Sequence, residues 1–538
     1  TITIQADWRN DCLAFIYASL AAGTEDELST LDQSVIIVKS VGVWNRIAWQ
    51  AGKSILIPAV DGAETKPAID NGHHVIKIVD RDQVTLGNTT LWLPRVSQPD
   101  VEELLYGSDI NFQKAGHLAG LARRNMPSFV RALTRDASIR RPVWATDANA
   151  PMLAALTLVG AWDANNDKDT QAIAALVGGD YDTVTSLCQQ RSGGNDPVMS
   201  HSGSAWRFAS LEEAFRCLSS KITDGVIERW KQLAFDVLCE MNPLYGADPV
   251  EKLAPLLHQP TPQDQYSEEL KSGIARSLAM VGSIEGSGAQ SHKLISSAAE
   301  VVPRLLSQAV EDDTGRVWNM IEPRLPSLAE AAPQQFVNVI IDNLEQDSSS
   351  LLQKYNADNE DPLSDSLFFH SHLLRAFEVL AWSEKHFDEV IDCLVLLAEN
   401  RVGDKQYSNR IEESLAAILC GWPNYTTVPP GNKLDALDSI KQASPTTAWN
   451  LLFALWPDYR NVVIPPAAPQ FRADWCPIAD KWAEPVECNA YLSGLVERAL
   501  KWGGDAPSLL SRLVKHVNIE VPPKERVKIL GHLDQISS

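Results

Sequence analysis

The 538-residue chain is short of positive charge, of paired cysteines and of long apolar runs. Lysine and arginine number 47 against 69 aspartates and glutamates, for a formal net charge of −22. That balance disfavours a general nucleic-acid coat, because phosphates would be repelled on average. A local basic patch still allows anion binding. None of the eight cysteines falls in a C-x-x-C pair: Cys12, Cys188, Cys217, Cys239, Cys393, Cys420, Cys476 and Cys488. Most sit in apolar helical runs and read as buried thiols of a cytosolic protein. No uncharged apolar run reaches the roughly 18 residues a membrane span needs, and no signal peptide is seen.

Catalytic signatures are missing as well. No H-E-x-x-H, G-x-S-x-G or paired-acid pattern appears. Gly52-Lys53-Ser54 ends like a phosphate loop, G-x-x-x-x-G-K-[ST], yet Ile47 stands where the first glycine belongs. A helix is expected before it and a strand after it. That order is the reverse of the one that aims a helix N-terminus at phosphate. His73 and His74 are adjacent, so a strand points them to opposite faces, and His370 and His372 are set apart on a helix. Asp163–Asp167 lacks the central glycine and closing glutamate of a calcium loop. No cofactor is expected in this chain alone.

What is present falls into two textures. Over residues 1–99, β-branched runs alternate with amphipathic helices. TITIQA, SVIIVK, SILIPAV, HHVIKIV and TTLWLP are the expected strands. SVIIVK is apolar throughout, as in parallel strands buried on both faces. A helix over Trp8–Ala22 should pack Leu13, Ile16, Tyr17 and Leu20. The expected fold is mixed: half of a doubly wound parallel sheet, followed by a mostly α array of HEAT-like helical repeats. The expected domains are 1–99, an α/β core; 100–210, a helical lid with a winged-helix-like element; and 211–538, the array. In the last, helices of roughly 12–20 residues meet at proline- or glycine-marked joints. Two breaks are expected, a loop over Gln346–Asp365 and a surface-covering segment over Ile464–Glu487.

The segment 115–146 joins the two textures. Asn125 and Pro127 should end one helix, with Ser128 as the cap of the next. Arg123, Arg124, Arg131, Arg135, Arg140 and Arg141 make it the most basic stretch of an acidic chain. They read as a solvated helix face, as an anion or nucleotide contact at a domain interface, or as part of a DNA-binding helix-turn-helix. Ser40, with Arg123, Arg124 and Arg131, forms the nucleotide- or interface-contact candidate. Tryptophan outnumbers both tyrosine and phenylalanine, 16 against 10 and 13. Trp422, Trp456, Trp475 and Trp482 lie in or beside loops and are the candidate partner-binding anchors. Packing inside the array is the alternative.

The runs SVIIVKS, SILIPAVDG, NGHHVIKIV, LWLPRV and LARRNMPSFVRALTRDASIRRPVWA resemble the later half of bacterial STAND-type NTPases of antiphage defence. GAWDANNDKDTQAIAALVGGDY, LAEAAPQQFVNVI, LLRAFEVLAWS and WNLLFALWP are similar to that family's C-terminal region. The resemblance implies the end of an AAA-like core, a lid, a winged helix and a repeat sensor. It implies a longer parent that binds ATP and Mg upstream and carries a separate effector. A phage-derived protein ligand would bind the array, and activation would bring oligomerisation. The rival expectations are a HEAT-like scaffold for a host protein and a helix-turn-helix DNA regulator.

Overall fold

The computed structural model describes residues 2–6, 9–21, 34–60, 62–80, 90–94, 97–106, 110, 112–193, 196–240, 266–284, 288–312, 314–356, 369–400, 411–422, 424–456, 464–475, 485–503, 511, 514 and 523–537. The chain divides into two compact units. One comprises residues 1–143 with 188–200, the other 144–187 with 201–538. The arginine-bearing helices group with the sheet, and residues 144–187 group with the array.

The first unit holds a parallel sheet of β1 (Ile2–Ala6), β2 (Val35–Val38), β3 (Ile55–Pro58), β4 (His74–Asp80) and β5 (Thr90–Trp92). Their order is β2-β3-β4-β1-β5. All four neighbouring pairs run parallel, with Ile4 beside both Ile78 and Leu91. Alternation along β3 splits the core between the two faces. Ile57 packs with Ile4, Cys12, Ile16 and Ile78. Leu56 packs with Val38, Trp44, Ala48, Ala68 and Val75.

Two details depart from the expectation. Among the described residues β2 ends the sheet, and there Ile36 and Ile37, on opposite faces, are exposed while Val38 is buried. On the helix Arg9–Ala21, Cys12 and Ile16 face the sheet while Tyr17 is exposed. Tyr17 follows Ile16 by one residue, which turns it about 100° away from that face.

The second unit opens with helices Ala150–Thr157 and Asp167–Val177 and a small sheet. In that sheet Ala161–Asp163 lies antiparallel beside Ala205–Phe208. Helices follow in two rows. Glu268–Gly282, Leu325–Ala331, Phe369–Leu380 and Ile411–Leu419 pack in succession. Beside them run Asp224–Leu238, Ala289–Glu311, Pro333–Leu344, Phe387–Glu399 and Pro430–Ala443. An α/β start followed by a helical array is thus the observed fold. No helix among the described residues is long and apolar enough to cross a membrane.

The loop expected over Gln346–Asp365 contains a helix, Ser350–Asn356. Leu351 and Tyr355 stand one turn apart and are buried, and the Asn343 side chain accepts from Ser349 Oγ and the Leu351 N–H. The polar composition around it concealed that two-residue apolar face. Residues 357–368 lie outside the described residues.

Helix Glu268–Gly282 is held at its cap and by close backbone contacts. Ser267 caps it by accepting from the Leu270 N–H at 3.0 Å. The buried Asp169 carboxylate in turn accepts from the Ser267 hydroxyl and from the N–H groups of Ser267 and Asp163. Burial raises the Asp169 carboxyl above its ordinary range, and those hydrogen bonds oppose the shift. Gly273 and Gly282 let the helix touch neighbouring backbone. A Cβ at Gly273 would lie 2.7 Å from Ala161 N, and one at Gly282 would strike the Ala331 carbonyl.

Gly282→Ala should therefore destabilise by about 1–3 kcal/mol through overpacking, although alanine favours helix by roughly 1 kcal/mol over glycine. Gly431→Ala, where a Cβ meets nothing within 4 Å, is the control and should show no loss. Urea midpoints of the two variants test the difference.

Candidate functional site

Residues 464–475 carry no regular structure until the 3-10 turn Ala473–Trp475. Proline at 465, 466 and 469 removes three backbone donors and holds φ extended, so the segment makes neither helix nor sheet. It lies instead along the first row of helices as a strap. Its peptide groups find partners on side chains, as buried backbone must.

Two carboxylates hold it. Glu378, on Phe369–Leu380, accepts from the Ala467 N–H at 2.8 Å and from Ser414 Oγ at 2.5 Å. Trp382 Nε1 donates to the Ala467 carbonyl at 2.9 Å. Glu330, on Leu325–Ala331, is 3% exposed and accepts from the N–H groups of Gln470, Phe471 and Arg472. The Arg472 guanidinium returns to the Glu330 carbonyl at 3.2 and 3.1 Å. Burial pushes the Glu330 carboxyl above its ordinary range, while the three N–H groups and Arg472 pull it back. Further along, the Arg276 guanidinium stands over the Phe471 ring at 5.7 Å. Arg472 covers Trp475 at 5.0 Å, and His386 meets that indole edge-on at 6.2 Å. The strap thus crosses Phe369–Leu380, Leu325–Ala331 and Glu268–Gly282, against chain order.

The tryptophans expected as exposed anchors are placed differently. Trp456 is 2% exposed and Trp475 8%. Trp456 stacks on Phe453, which also meets Trp449. Trp422 is half-buried, its Nε1 donating to the Leu455 carbonyl at 2.7 Å. Trp456 and Trp475 are corrected to packing residues, because indole area is worth most when removed from water. Trp482 lies outside the described residues. Sequence reasoning found the covering segment but missed Glu330 and Glu378. The available signal was a lone acid inside each apolar helical run, LAEAA and AFEVLAW. Such a charge is seldom buried without a partner.

The loop bearing Trp422 rests on a buried amine. Lys433 is 1% exposed, and its Nζ donates to the Cys420 carbonyl at 2.8 Å and to Asn424 Oδ1 at 2.6 Å. A neutral amine has the two N–H groups these bonds require. Burial accordingly lowers Lys433 from 10.5 to about 7.

In the first unit, Arg131 is buried and makes a bidentate pair with Asp196, both contacts at 2.9 Å. Its second guanidinium nitrogen also reaches Ser128 Oγ. Asn125, not Ser128, caps the helix Met126–Leu133, accepting from the Ser128 N–H at 3.3 Å. Its amide donates to the Pro197 carbonyl at 2.7 Å. Arg131 is therefore a structural ion pair rather than a solvated face or an anion contact. Arg123 is exposed, and the side chain of Arg124 lies outside the described residues. Ser40 is exposed and precedes the helix Val41–Ala48, its carbonyl accepting from the Trp44 N–H. The structure brings Arg131 together with Asn125, Ser128 and Asp196, not with Ser40.

Gly52-Lys53-Ser54 has a packing explanation. The buried His73 ring lies where a Cβ on Gly52 would sit, at 2.6 Å. Its Nδ1 accepts from the Ser54 N–H and its Nε2 donates to the Gln50 carbonyl.

With this geometry in place, comparison with known proteins adds little. No family model matches the chain, and no curated protein matches it. Among solved structures, a crystal structure of an engineered protein aligns at 13% identity over 76% of this chain and 97% of that one. Its TM-score of 0.18 is too low to carry an argument.

Two predictions follow from these contacts. Glu330→Ala should strip three N–H groups of their acceptor and weaken the strap by about 1–3 kcal/mol or more. Hydrogen exchange at Gln470, Phe471 and Arg472 should accelerate accordingly, with Glu330→Gln falling between. For Lys433, the unfolded chain keeps its proton up to about pH 10.5 and the folded chain only to about 7. Unfolding takes up a proton across that window, so this group makes stability rise with pH there. Lys433→Met should flatten the rise, as read from melting temperatures at the two ends of the window.

Proposed function

We propose that this chain is the regulatory, ligand-sensing portion of a STAND-type antiphage defence protein. Its protein ligand would bind the groove that residues 464–475 occupy. The observation that carries this reading is the strap, an extended backbone held by buried carboxylates along successive helices of the array. A groove that satisfies extended backbone through Glu330 and Glu378 suits an extended segment of another protein. Proline pre-sets such a segment, so less entropy is lost on seating it. A phage-derived protein offering that backbone would compete with the strap. It shifts the array only by as much as it prefers the strap-released state.

The element order, with a parallel sheet first and a helical array after it, supports placement beside an upstream ATPase core. ATP and Mg would belong to that core in the parent protein. The released core would oligomerise in the cytoplasm and hand the signal to a separate effector.

A DNA-binding reading has one observation on its side. Helix Ala150–Thr157, strand Ala161–Asp163, helices Asp167–Val177 and Tyr181–Ser192, and strands Met199–Ser202 and Ala205–Phe208 follow the order of a winged helix. Yet the helix that would enter the groove, Tyr181–Ser192, sets Asp182 against a single Arg191. One cation gives little counterion release from DNA.

Replacing residues 464–475 by a Gly/Ser linker should open the groove. A synthetic peptide of that sequence should then bind in trans with roughly micromolar affinity. Glu330→Ala in the same background should weaken it at least about tenfold, the equivalent of about 1.4 kcal/mol. Absence of trans binding would remove the groove from consideration. In bacteria carrying the intact parent gene, the linker variant should trigger the response without infection, and silence there would count against a sensor.

A further inference from the structure

Burial along the strap repeats every three residues. Pro466 and Pro469 are buried, Pro465 and Ala468 are exposed, and Ala467 is half-buried. A strand repeats every two residues and an α-helix every 3.6. A polyproline II helix repeats every three, and it makes no internal hydrogen bonds. The chain is restricted to match. Proline holds φ near about −65° at 465, 466 and 469. Each proline also keeps the residue before it extended, which covers Ile464, Pro465 and Ala468. Ala467 is the residue of 464–469 that no proline restricts, and the array clamps it from both sides. Glu378 accepts its N–H at 2.8 Å, and the buried Trp382 indole donates to its carbonyl at 2.9 Å.

These contacts set conditions on any chain that takes the strap's place. Two prolines three apart present one buried face. The position after the first must keep an N–H for Glu378, so proline is barred there. The next position is exposed, and proline is permitted. After the second proline, Glu330 accepts from three successive N–H groups, those of Gln470, Phe471 and Arg472. Proline is barred at all three. Side chains are read at the last two. The Arg276 guanidinium lies over the Phe471 ring at 5.7 Å, a place for an aromatic face. The Arg472 guanidinium donates to the Glu330 carbonyl at 3.2 and 3.1 Å and covers Trp475 at 5.0 Å. Prolines spaced by three look much alike from either end, so the aromatic and the arginine fix the direction.

We propose that the partner segment seats as a polyproline II helix of pattern Pro-x-x-Pro-x-aromatic-Arg, with no proline at the second or fifth position. This rests on the reading of the groove as a protein-binding site, and it names the kind of protein segment that the groove selects. The strap carries the same pattern and holds the site until a segment of that kind displaces it.

Two measurements test the pattern. In the intact chain, Ala468→Pro should leave hydrogen exchange at Gln470, Phe471 and Arg472 within about twofold, because that position is exposed and already extended. Ala467→Pro removes the N–H that Glu378 holds and should speed exchange at least about tenfold. Equal acceleration by both would overturn the three-residue register. In the chain whose residues 464–475 are a Gly/Ser linker, anisotropy of a labelled 464–475 peptide gives the reference affinity. Pro466→Ala with Pro469→Ala in the peptide should weaken it at least about tenfold, whereas Pro465→Ser with Ala468→Ser should change it by about twofold or less. Phe471→Leu and the reversed sequence should each weaken it at least about fivefold. If the reference peptide binds and every altered peptide binds equally well, the groove stands and the pattern is wrong. If the reference peptide does not bind, the groove itself fails and the pattern with it.

Discussion

Close approach of backbone to backbone sets the geometry of the helical unit. At Gly273 the helix Glu268–Gly282 lies against Val159 and Ala161, and at Gly282 against Ala331. No side chain separates the elements at those points, so their spacing is not adjustable. Much else hangs from this one helix. Its cap, Ser267, is bound by Asp169 from the helix Asp167–Val177. It also carries Arg276 onto the strap at Phe471. A helix fixed by its glycines thereby fixes Arg276 against the strap.

Buried charge is the second organising device, and it is handled in two ways. Glu330 and Glu378 are dehydrated carboxylates whose cost is offset by backbone N–H groups of the strap. Lys433 reduces the cost by holding its proton less tightly, burial bringing it from 10.5 to about 7, and keeps two hydrogen bonds. The carboxylates tie an extended segment to the array, and the amine ties a loop. The strap is therefore the natural place to look for exchange with a partner, since its hydrogen bonds are ones any extended backbone can make.

Much of the fold was legible because it rests on local periodicity. The five strands stand where apolar runs stand, and Gly160, with φ at +79°, ends the helical stretch as a turn glycine should. Errors came where one pattern served two environments. SVIIVK reads as doubly buried, yet β2 ends the sheet among the described residues and its isoleucines are exposed on both faces. Tryptophan beside proline reads equally well as an exposed anchor or as a lid over the core, and for Trp475 the second is correct. The candidate site was half legible: the covering segment 464–475 stood out by its prolines, while the acids that hold it did not.

The sequence alone determined most of the elements, the break in the array and the absence of a complete phosphate loop, since each depends on residues close in the chain. Tertiary structure decided which arginine is an ion pair, which tryptophans are buried and what Gly52 accommodates. It also decided that Glu330 would meet Arg472, 142 positions away. Those outcomes depend on which surfaces are brought together from distant parts of the chain. No window of neighbouring residues contains that information, because the energy of a buried charge or indole is set by its surroundings and not by its own identity.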